Sequence, residues 1–95
     1  MTQTSNIKHK KILVSGHVQG VFYRASAAEK ARELHLAGFV RNEEDGSVYI
    51  EVEGEEHDLL TFTEWARRGP GRARVDSCNV SEGEVKHFLQ FEIQR

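Results

Sequence analysis

The alternation of apolar and polar positions divides the chain into segments of regular structure. Residues 7–15 (IKHKKILVS) end in a run of strand-forming residues that stops at Gly16, which predicts a first strand. From about residue 22 to residue 36, apolar and small side chains recur at helical spacing, and Gly38 ends the pattern. The chain is therefore predicted to open with a strand followed by a helix.

A hairpin and a second helix are predicted next. Residues 38–42 (GFVRN) and 47–53 (SVYIEVE) are two extended runs, and the Asp-Gly pair in residues 43–46 between them is a strong turn signal. Residues 55–68 follow, with acids in the first turn and two arginines at the end. This is the charge order that the helix dipole favours.

Two further extended segments, residues 73–80 and 88–94, complete the pattern, and a polar connection at residues 81–84 separates them. The order βαββαβ, with a short terminal strand added, predicts an α+β fold, a ferredoxin-like sandwich with two helices on one face of an antiparallel sheet. In this topology the first helix begins at the sheet edge where the first strand ends, and the second strand climbs back to that edge. We therefore expect residues 16–24 and Asn42 to lie together.

Chain length and charge limit the number of domains and the kinds of binding partner. Ninety-five residues suffice for one domain, which we assign to residues 7–95 after a flexible N-terminus at residues 1–6. Thirteen Lys and Arg against 15 Asp and Glu leave a net charge of −2, which indicates neither a nucleic-acid nor a membrane partner. Locally, residues 1–28 contain basic but no acidic side chains, so an anion would be drawn to that part of the chain.

The cysteine and histidine content predicts neither a disulfide nor a metal site. Cys78 is the only cysteine, and it lies among strand formers, where we expect a packed or edge thiol. The chain contains no apolar run of about 18 residues, and we expect a cytoplasmic location. The five histidines show no ligand spacing, so we expect no metal and no other cofactor.

Residues 16–24 (GHVQGVFYR) join a strand to the start of a helix and have the composition of an anion-binding loop. Two glycines allow backbone N–H groups to turn inward, and the positive end of the helix dipole favours a phosphate there. Arg24 can offer its planar guanidinium to two phosphate oxygens. The residues alone leave an alternative open, because many strand-to-helix turns use glycine for conformational reasons and bind nothing.

Asn42 is the second candidate for chemistry. It directly precedes the turn at residues 43–46, and strand-end asparagines commonly cap such turns. Val40 and Asn42 share one face of their strand, however. If Val40 points under the helices, Asn42 lies at the phosphate edge, where its carbonyl oxygen could accept a hydrogen bond from a water molecule.

Three segments of the sequence resemble the acylphosphatase family. The family signature G-x-V-Q-G-V-x-[FY]-R is present as GHVQGVFYR at residues 16–24, and a second signature is present as GFVRNEEDGSVYIEVEG at residues 38–54. A third pattern, GPGRARV, occupies residues 69–75. The resemblance covers nearly the whole domain and implies a small, cofactor-free enzyme that hydrolyses acyl phosphates to a carboxylate and inorganic phosphate by direct in-line attack of water.

The resemblance also assigns roles to residues. It implies that Arg24 binds the phosphate and that Asn42 orients the attacking water. It further implies that the backbone of one continuous segment cradles the phosphate, namely Gly16, His17, Val18, Gln19, Gly20, Val21 and Phe22. Glu43 departs from the usual pattern by placing an acid beside Asn42, where it could raise the Michaelis constant, add pH dependence or simply point into solvent.

Two other functions fit the order of elements. RNA-recognition domains share it, but the third strand, SVYIEVE, lacks their aromatic stacking pattern and is flanked by acids. A carbamoyl-phosphate-handling or catalytically idle relative, like the acylphosphatase-like domains of larger maturation enzymes, is the other alternative. Because the sequence contains one domain, we expect a free-standing, monomeric enzyme whose partner is a small-molecule acyl phosphate.

Overall fold

A computed structural model describes residues 6–95, which form five strands and two helices. In chain order the elements are β1 (Ile7–His17), α1 (Tyr23–Glu33), β2 (Ala37–Asn42), β3 (Val48–Glu55), α2 (Glu56–Arg68), β4 (Arg74–Gly83) and β5 (Phe91–Ile93). The predicted flexible N-terminus, residues 1–6, lies outside the described residues apart from the exposed Asn6. Neither helix in the described part of the chain is long and apolar enough to cross a membrane.

The strands form one sheet in the order β4-β1-β3-β2-β5. The predicted ferredoxin-like α+β fold is confirmed, and β3 lies between β1 and β2 as expected. The sheet is mixed rather than wholly antiparallel, because β5 pairs with β2 in parallel. The reason is topological, because β4 and β5 are the two outermost strands of the sheet. The chain crosses the sheet between them and enters β5 in the same direction as β2.

The core lies between the sheet and the two helices. Alternate residues of β1 and β3 point under the helices, and the register pairs Ile12 with Ile50 and Val14 with Val48. Small residues on α1, such as Ala27 and Ala31, are fully buried and let that helix approach the sheet closely. Each fully buried Ile, Leu or Phe side chain contributes roughly 1.5–3 kcal/mol to folding.

Residues 84–90, the crossover strap, pack on the opposite face of the sheet. Phe88 of the strap contacts Phe39 edge-on, with ring centroids 5.9 Å apart. Glu53 on β3 accepts hydrogen bonds from the backbone N–H groups of Lys86 and Phe88. An RNA-recognition domain binds its ligand on the open face of the sheet, and here the strap lies over that face.

Several segment boundaries differ from the sequence-based prediction. β1 runs through Gly16 to His17 instead of stopping at Gly16. β4 continues to Gly83 through the predicted polar connection, because Glu82 pairs with Lys10 of β1 across the ladder with 3.1 Å between Nζ and Oε2. α1 ends at Glu33, since His35 adopts a left-handed backbone conformation with φ 60°. The last strand is limited to Phe91–Ile93.

Candidate active site

The loop between β1 and α1 presents unpaired backbone donors. Gly20 and Phe22 have positive φ angles of 75° and 64°, which turn the chain sharply before the helix. Within the described residues, the N–H groups of residues 19–25 have no acceptor, and the first paired one in the helix belongs to Ser26, which donates to the Phe22 carbonyl at 3.0 Å. Unpaired donors at a helix start, with the helix dipole behind them, suit a phosphate.

Not every residue of the predicted cradle points toward a ligand. Val18 and Val21 are buried in the core, and His17 lies exposed at the end of β1. Gly16 has φ 130° at a bulge between β1 and β4, and a Cβ atom built there would lie 2.2 Å from the Arg74 carbonyl oxygen. Gly16 therefore permits close contact between two strands. By contrast, a Cβ at Gly20 would meet nothing within 4 Å.

Arg24 lies in the first turn of α1 and extends toward the C-terminal segment. Its Nη1 donates to the Gln94 carbonyl at 2.7 Å, and Gln94 N donates in turn to the Val40 carbonyl at 2.8 Å. One guanidinium nitrogen is therefore held by the protein. The rest of this planar group is available to an oxyanion.

Tyr23, the first residue of α1, anchors the start of that helix to α2. The Tyr23 ring is buried against Trp65 with centroids 5.2 Å apart, and its hydroxyl donates to the Ala66 carbonyl at 2.7 Å. Burial raises the pKa of Tyr23, so the phenol stays protonated and serves as a structural donor. Because Tyr23 is anchored to α2, the first turn of α1, which carries Arg24, is held in place.

Asn42 is the last residue of β2 and is partly buried. The turn that follows is capped by Asp45, whose Oδ1 accepts hydrogen bonds from Ser47 N at 3.0 Å and Ser47 Oγ at 2.6 Å. Within residues 6–95 the Asn42 side chain has no hydrogen-bond partner. The turn-capping alternative is therefore wrong, and the Asn42 amide is available to a ligand or a water molecule.

The acidic neighbour of Asn42 is paired with an arginine. Glu43 Oε2 accepts a hydrogen bond from Arg41 Nε at 2.7 Å, and the Arg41 guanidinium also lies over the Tyr49 ring, 5.0 Å from its centroid. Hydrogen bonding to Glu43 raises the pKa of Arg41. The negative charge of Glu43 is thus paired on the strap side of the sheet.

A side chain of the loop links the two halves of the site. Gln19 Nε2 donates to the Glu43 carbonyl at 2.8 Å and to the Ser47 carbonyl at 2.9 Å. These bonds tie the β1–α1 loop to the end of β2, next to Asn42. Sequence reasoning considered only the backbone of Gln19, because the hairpin that receives its side chain lies more than 20 residues further along the chain.

A cleft of about 360 Å³ opens at this edge of the sheet. Its walls come from the loop, the start of α1, the end of β2 and the C-terminal segment, and they comprise Val18, Gly20, Phe22, Tyr23, Arg24, Ala25, Asn42, Ile93 and Arg95. Arg24 and Asn42 thus line the same cleft, whereas Gly16, His17, Gln19 and Val21 do not. A wider depression of about 810 Å³ beside the end of α1 contains none of the predicted site residues.

Ile93 and Arg95 were not predicted to line the site. They reach the cleft because β5 runs parallel to β2 and so ends at the same edge as Asn42. The direction of the last strand was the signal that could have indicated them. Within residues 6–95, no group of three or more His, Cys, Asp or Glu side chains is placed to hold a metal ion.

Comparison with known proteins gives a consistent result. The acylphosphatase family model matches residues 10–93. An acylphosphatase of Methylococcus capsulatus is 47% identical over 90 residues, which cover 94% of this chain and 98% of the relative. The structure of an acylphosphatase from Coxiella burnetii superposes with a TM-score of 0.93 at 38% identity, covering 99% of this chain and 100% of that chain.

A larger protein contains a similar domain. The structure of full-length HypF in a phosphate- and nucleotide-bound form matches with a TM-score of 0.89 at 32% identity, covering 100% of this chain but 13% of HypF. The acylphosphatases above match this chain over nearly their full length. On the family model and the sequence identities together, the chain belongs to the acylphosphatase family.

Proposed function

We propose that this enzyme hydrolyses acyl phosphates with Arg24 holding the phosphoryl group and Asn42 positioning the water that attacks it. The observation that supports this division most directly is that the two side chains line one cleft together with Gly20 and Phe22, whose backbone N–H groups have no acceptor among the described residues. In this proposal the products are a carboxylate and inorganic phosphate.

Charge neutralisation falls to Arg24 and the loop. In phosphoryl transfer, negative charge is spread over the three equatorial oxygens of the transition state, and fixed donors stabilise it without reorganising. The Gln94 carbonyl holds one Arg24 nitrogen at 2.7 Å, which keeps the guanidinium from swinging into solvent. The N–H groups of residues 19–25 supply further donors.

Positioning of the water falls to Asn42. A side-chain amide does not act as a base at neutral pH, so its oxygen can only accept a hydrogen bond from water and hold that water in line with the bond to be broken. The Asn42 amide has no competing partner among residues 6–95, and Gln19 fixes the strand end beside it.

The substrate explains why so few groups suffice. The leaving group of an acyl phosphate is a carboxylate, which departs unprotonated near neutral pH, so no general acid is needed. The oxygen of the attacking water bonds to phosphorus as the P–O bond to the carboxylate breaks on the opposite side. Both hydrogens of that water remain on the product, which leaves as H2PO4⁻ and then equilibrates with solvent. Orientation and charge stabilisation are the remaining tasks, and Asn42 and Arg24 have those capacities.

We also infer that the enzyme works as a cytoplasmic monomer on small molecules. The formal charge of −2 is small, and Cys78 is the only cysteine. Burial raises the pKa of the half-buried Cys78 thiol, which disfavours the reactive thiolate. Sedimentation equilibrium at two concentrations tests the monomer, since a mass near twice 10.8 kDa would contradict it.

The test is release of inorganic phosphate from benzoyl phosphate by the whole chain, with a chelator present. We expect turnover by the wild type and a loss of about 10²- to 10³-fold in both Arg24→Ala and Asn42→Ala, the usual effect of removing one preorganised donor. Carbamoyl phosphate, assayed in parallel, tests the alternative substrate.

Matched variants separate chemistry from structure. Arg32, on the same helix, donates to the Phe91 carbonyl at 2.9 Å much as Arg24 donates to Gln94, but it does not line the cleft. Arg32→Ala should therefore retain turnover, and so should Asn79→Ala, which changes an exposed asparagine on β4. Full activity in a folded Asn42→Ala protein would refute the role of Asn42.

A further inference from the structure

Two exposed apolar side chains stand at the mouth of the cleft. Five large apolar residues are exposed among residues 6–95, namely Ile7, Phe22, Leu60, Leu89 and Ile93. Phe22, with 76% of its surface exposed, and Ile93, with 43%, both line the cleft that contains Arg24 and Asn42. Single exposed apolar residues are common, but two that line the same cleft form a local apolar surface.

The backbone at Phe22 places this ring outward at some conformational cost. Phe22 caps the start of α1 in the left-handed region, with φ 64° and ψ 24°. Bulky residues rarely adopt that conformation, for which Gly or Asn is better suited, and such strained residues cluster at functional sites. The next residue, Tyr23, is buried against α2, so the turn directs adjacent aromatic side chains in opposite directions.

We propose that Phe22 and Ile93 form an apolar lip that receives the acyl group of the substrate, an inference that rests on the proposed function. The buried lining residues Val18 and Tyr23 form the floor of the cleft, and the exposed ones form its mouth. In-line attack sends the carboxylate away on the side opposite the water held by Asn42. The acyl group is the part of the substrate that the phosphate donors do not hold, and in this proposal it lies against the exposed side chains of Phe22 and Ile93.

The chemistry of the lip predicts a substrate class. An aromatic ring and a branched alkyl group favour acyl groups with apolar surface, through hydrophobic contact and ring–ring packing. An acetyl group offers one methyl and gains little. The enzyme should therefore prefer acyl phosphates with aromatic or branched apolar acyl groups over acetyl phosphate.

The test compares kcat/KM for benzoyl phosphate and acetyl phosphate in the whole chain. In Phe22→Ala we expect the benzoyl-to-acetyl ratio of kcat/KM to fall by about 2- to 13-fold, the scale of one lost aromatic contact. In Ile93→Ala the ratio should fall by a smaller factor. Leu60→Ala changes an apolar residue that is 57% exposed on α2 and outside the cleft, and it should leave the ratio unchanged.

The outcomes separate the lip from the proposed function. A Phe22→Ala protein that is folded by circular dichroism and has the wild-type ratio would overturn the lip, while turnover of both substrates would leave the proposed function in place. An equal loss with both substrates, accompanied by weaker inhibition by inorganic phosphate, would assign Phe22 to phosphate binding and also overturn the lip. A wild type that hydrolyses neither substrate would instead refute the proposed function.

Discussion

Gln19 connects the loop between β1 and α1 to the strand that carries Asn42. Its side-chain amide donates to two carbonyls of the β2–β3 hairpin, at Glu43 and Ser47. Catalysis by orientation depends on the distance between the phosphate donors and the water site, and a displacement of 1 Å can cost about 10²-fold in rate. Gln19 is therefore a positioning residue, which acts through its neighbours rather than on the substrate.

Replacing Gln19 by Leu should lower both stability and turnover. Two hydrogen bonds between the loop and the hairpin are lost, although the Glu43 and Ser47 carbonyls keep their backbone donors, Gly46 N and Glu43 N, and the loss should cost about 1–3 kcal/mol of unfolding free energy. We expect kcat to fall by about tenfold or more while KM for benzoyl phosphate changes less, because Arg24 and the loop N–H groups remain. Urea unfolding and steady-state kinetics measure the two effects.

A second glutamine provides the control. Gln90 donates its amide to Glu92 on the exposed surface of the strap, with 3.2 Å between Nε2 and Oε2. Gln90→Leu should leave kcat near the wild-type value. A Gln19→Leu protein with wild-type kcat would show that the loop and the hairpin keep their relative position without this side chain.

At the scale of residues, short-range patterns indicated Arg24, Asn42 and the loop of residues 16–22, of which Val18, Gly20 and Phe22 line the cleft with Arg24 and Asn42. The turn signals and the signature segments are local, so they could be interpreted without the fold. The role of Gly16 in strand contact depends on the Arg74 carbonyl, which is 58 residues further along the chain. Contacts of that kind are set by the register of β1 and β4, which the sequence pattern does not specify.

At the scale of elements, the crossover strap, residues 84–90, covers polar side chains on the face of the sheet that lies away from the helices. His9 is buried between two carboxylates, with its Nδ1 2.7 Å from Glu53 Oε2 and its Nε2 3.0 Å from Glu51 Oε1, the latter pair lying out of hydrogen-bond alignment. The alternation of β3 predicts that Glu51 and Glu53 face away from the helices. It does not indicate that residues 84–90 cover them.

The strap that covers Glu53 also affects the ionisation of its carboxyl group. Burial disfavours the carboxylate, but hydrogen bonds from the backbone N–H of Lys86, the side chain of His9 and the backbone N–H of Phe88 outweigh burial and lower the pKa of Glu53 below 4.5. A carboxyl whose pKa is lower in the folded state stabilises the fold above its unfolded pKa, and this contribution is lost as the pH falls through the folded-state pKa.

We therefore expect Glu53→Gln to lower the unfolding free energy at pH 7 and to make that free energy less dependent on pH in the acidic range. The cost should be about 1–3 kcal/mol at pH 7, because buried charge-assisted hydrogen bonds to the strap are lost. Below pH 4.5 the difference between the variant and the wild type should shrink as the wild-type carboxyl becomes protonated. Urea unfolding at pH 7, 5 and 3.5 measures this difference.

An exposed glutamate serves as the comparison for Glu53. Glu82 pairs with Lys10, and its side chain is 76% exposed. Glu82→Gln should change the unfolding free energy far less than Glu53→Gln at pH 7. If the two variants had equal effects at every pH, the strap would not depend on the Glu53 carboxylate.

At the scale of the whole molecule, topology assembles the site from three strand ends. β1 and β2 both end at the edge where α1 begins, which the predicted order of elements was sufficient to indicate. The end of β5 completes the cleft with Ile93 and Arg95. The sequence-based prediction missed that third contribution because it assumed a wholly antiparallel sheet, whereas β5 pairs with β2 in parallel.

The division of tasks between Arg24 and Asn42 is tested most directly by the affinity for inorganic phosphate, measured by isothermal titration calorimetry. Phosphate occupies the donor side of the cleft without requiring an attacking water. The account predicts that Asn42→Ala binds phosphate like the wild type, whereas Arg24→Ala binds it about 10-fold or more weakly, because a charge-assisted bidentate contact is lost. Equal phosphate affinity in Arg24→Ala and the wild type would contradict the role of Arg24.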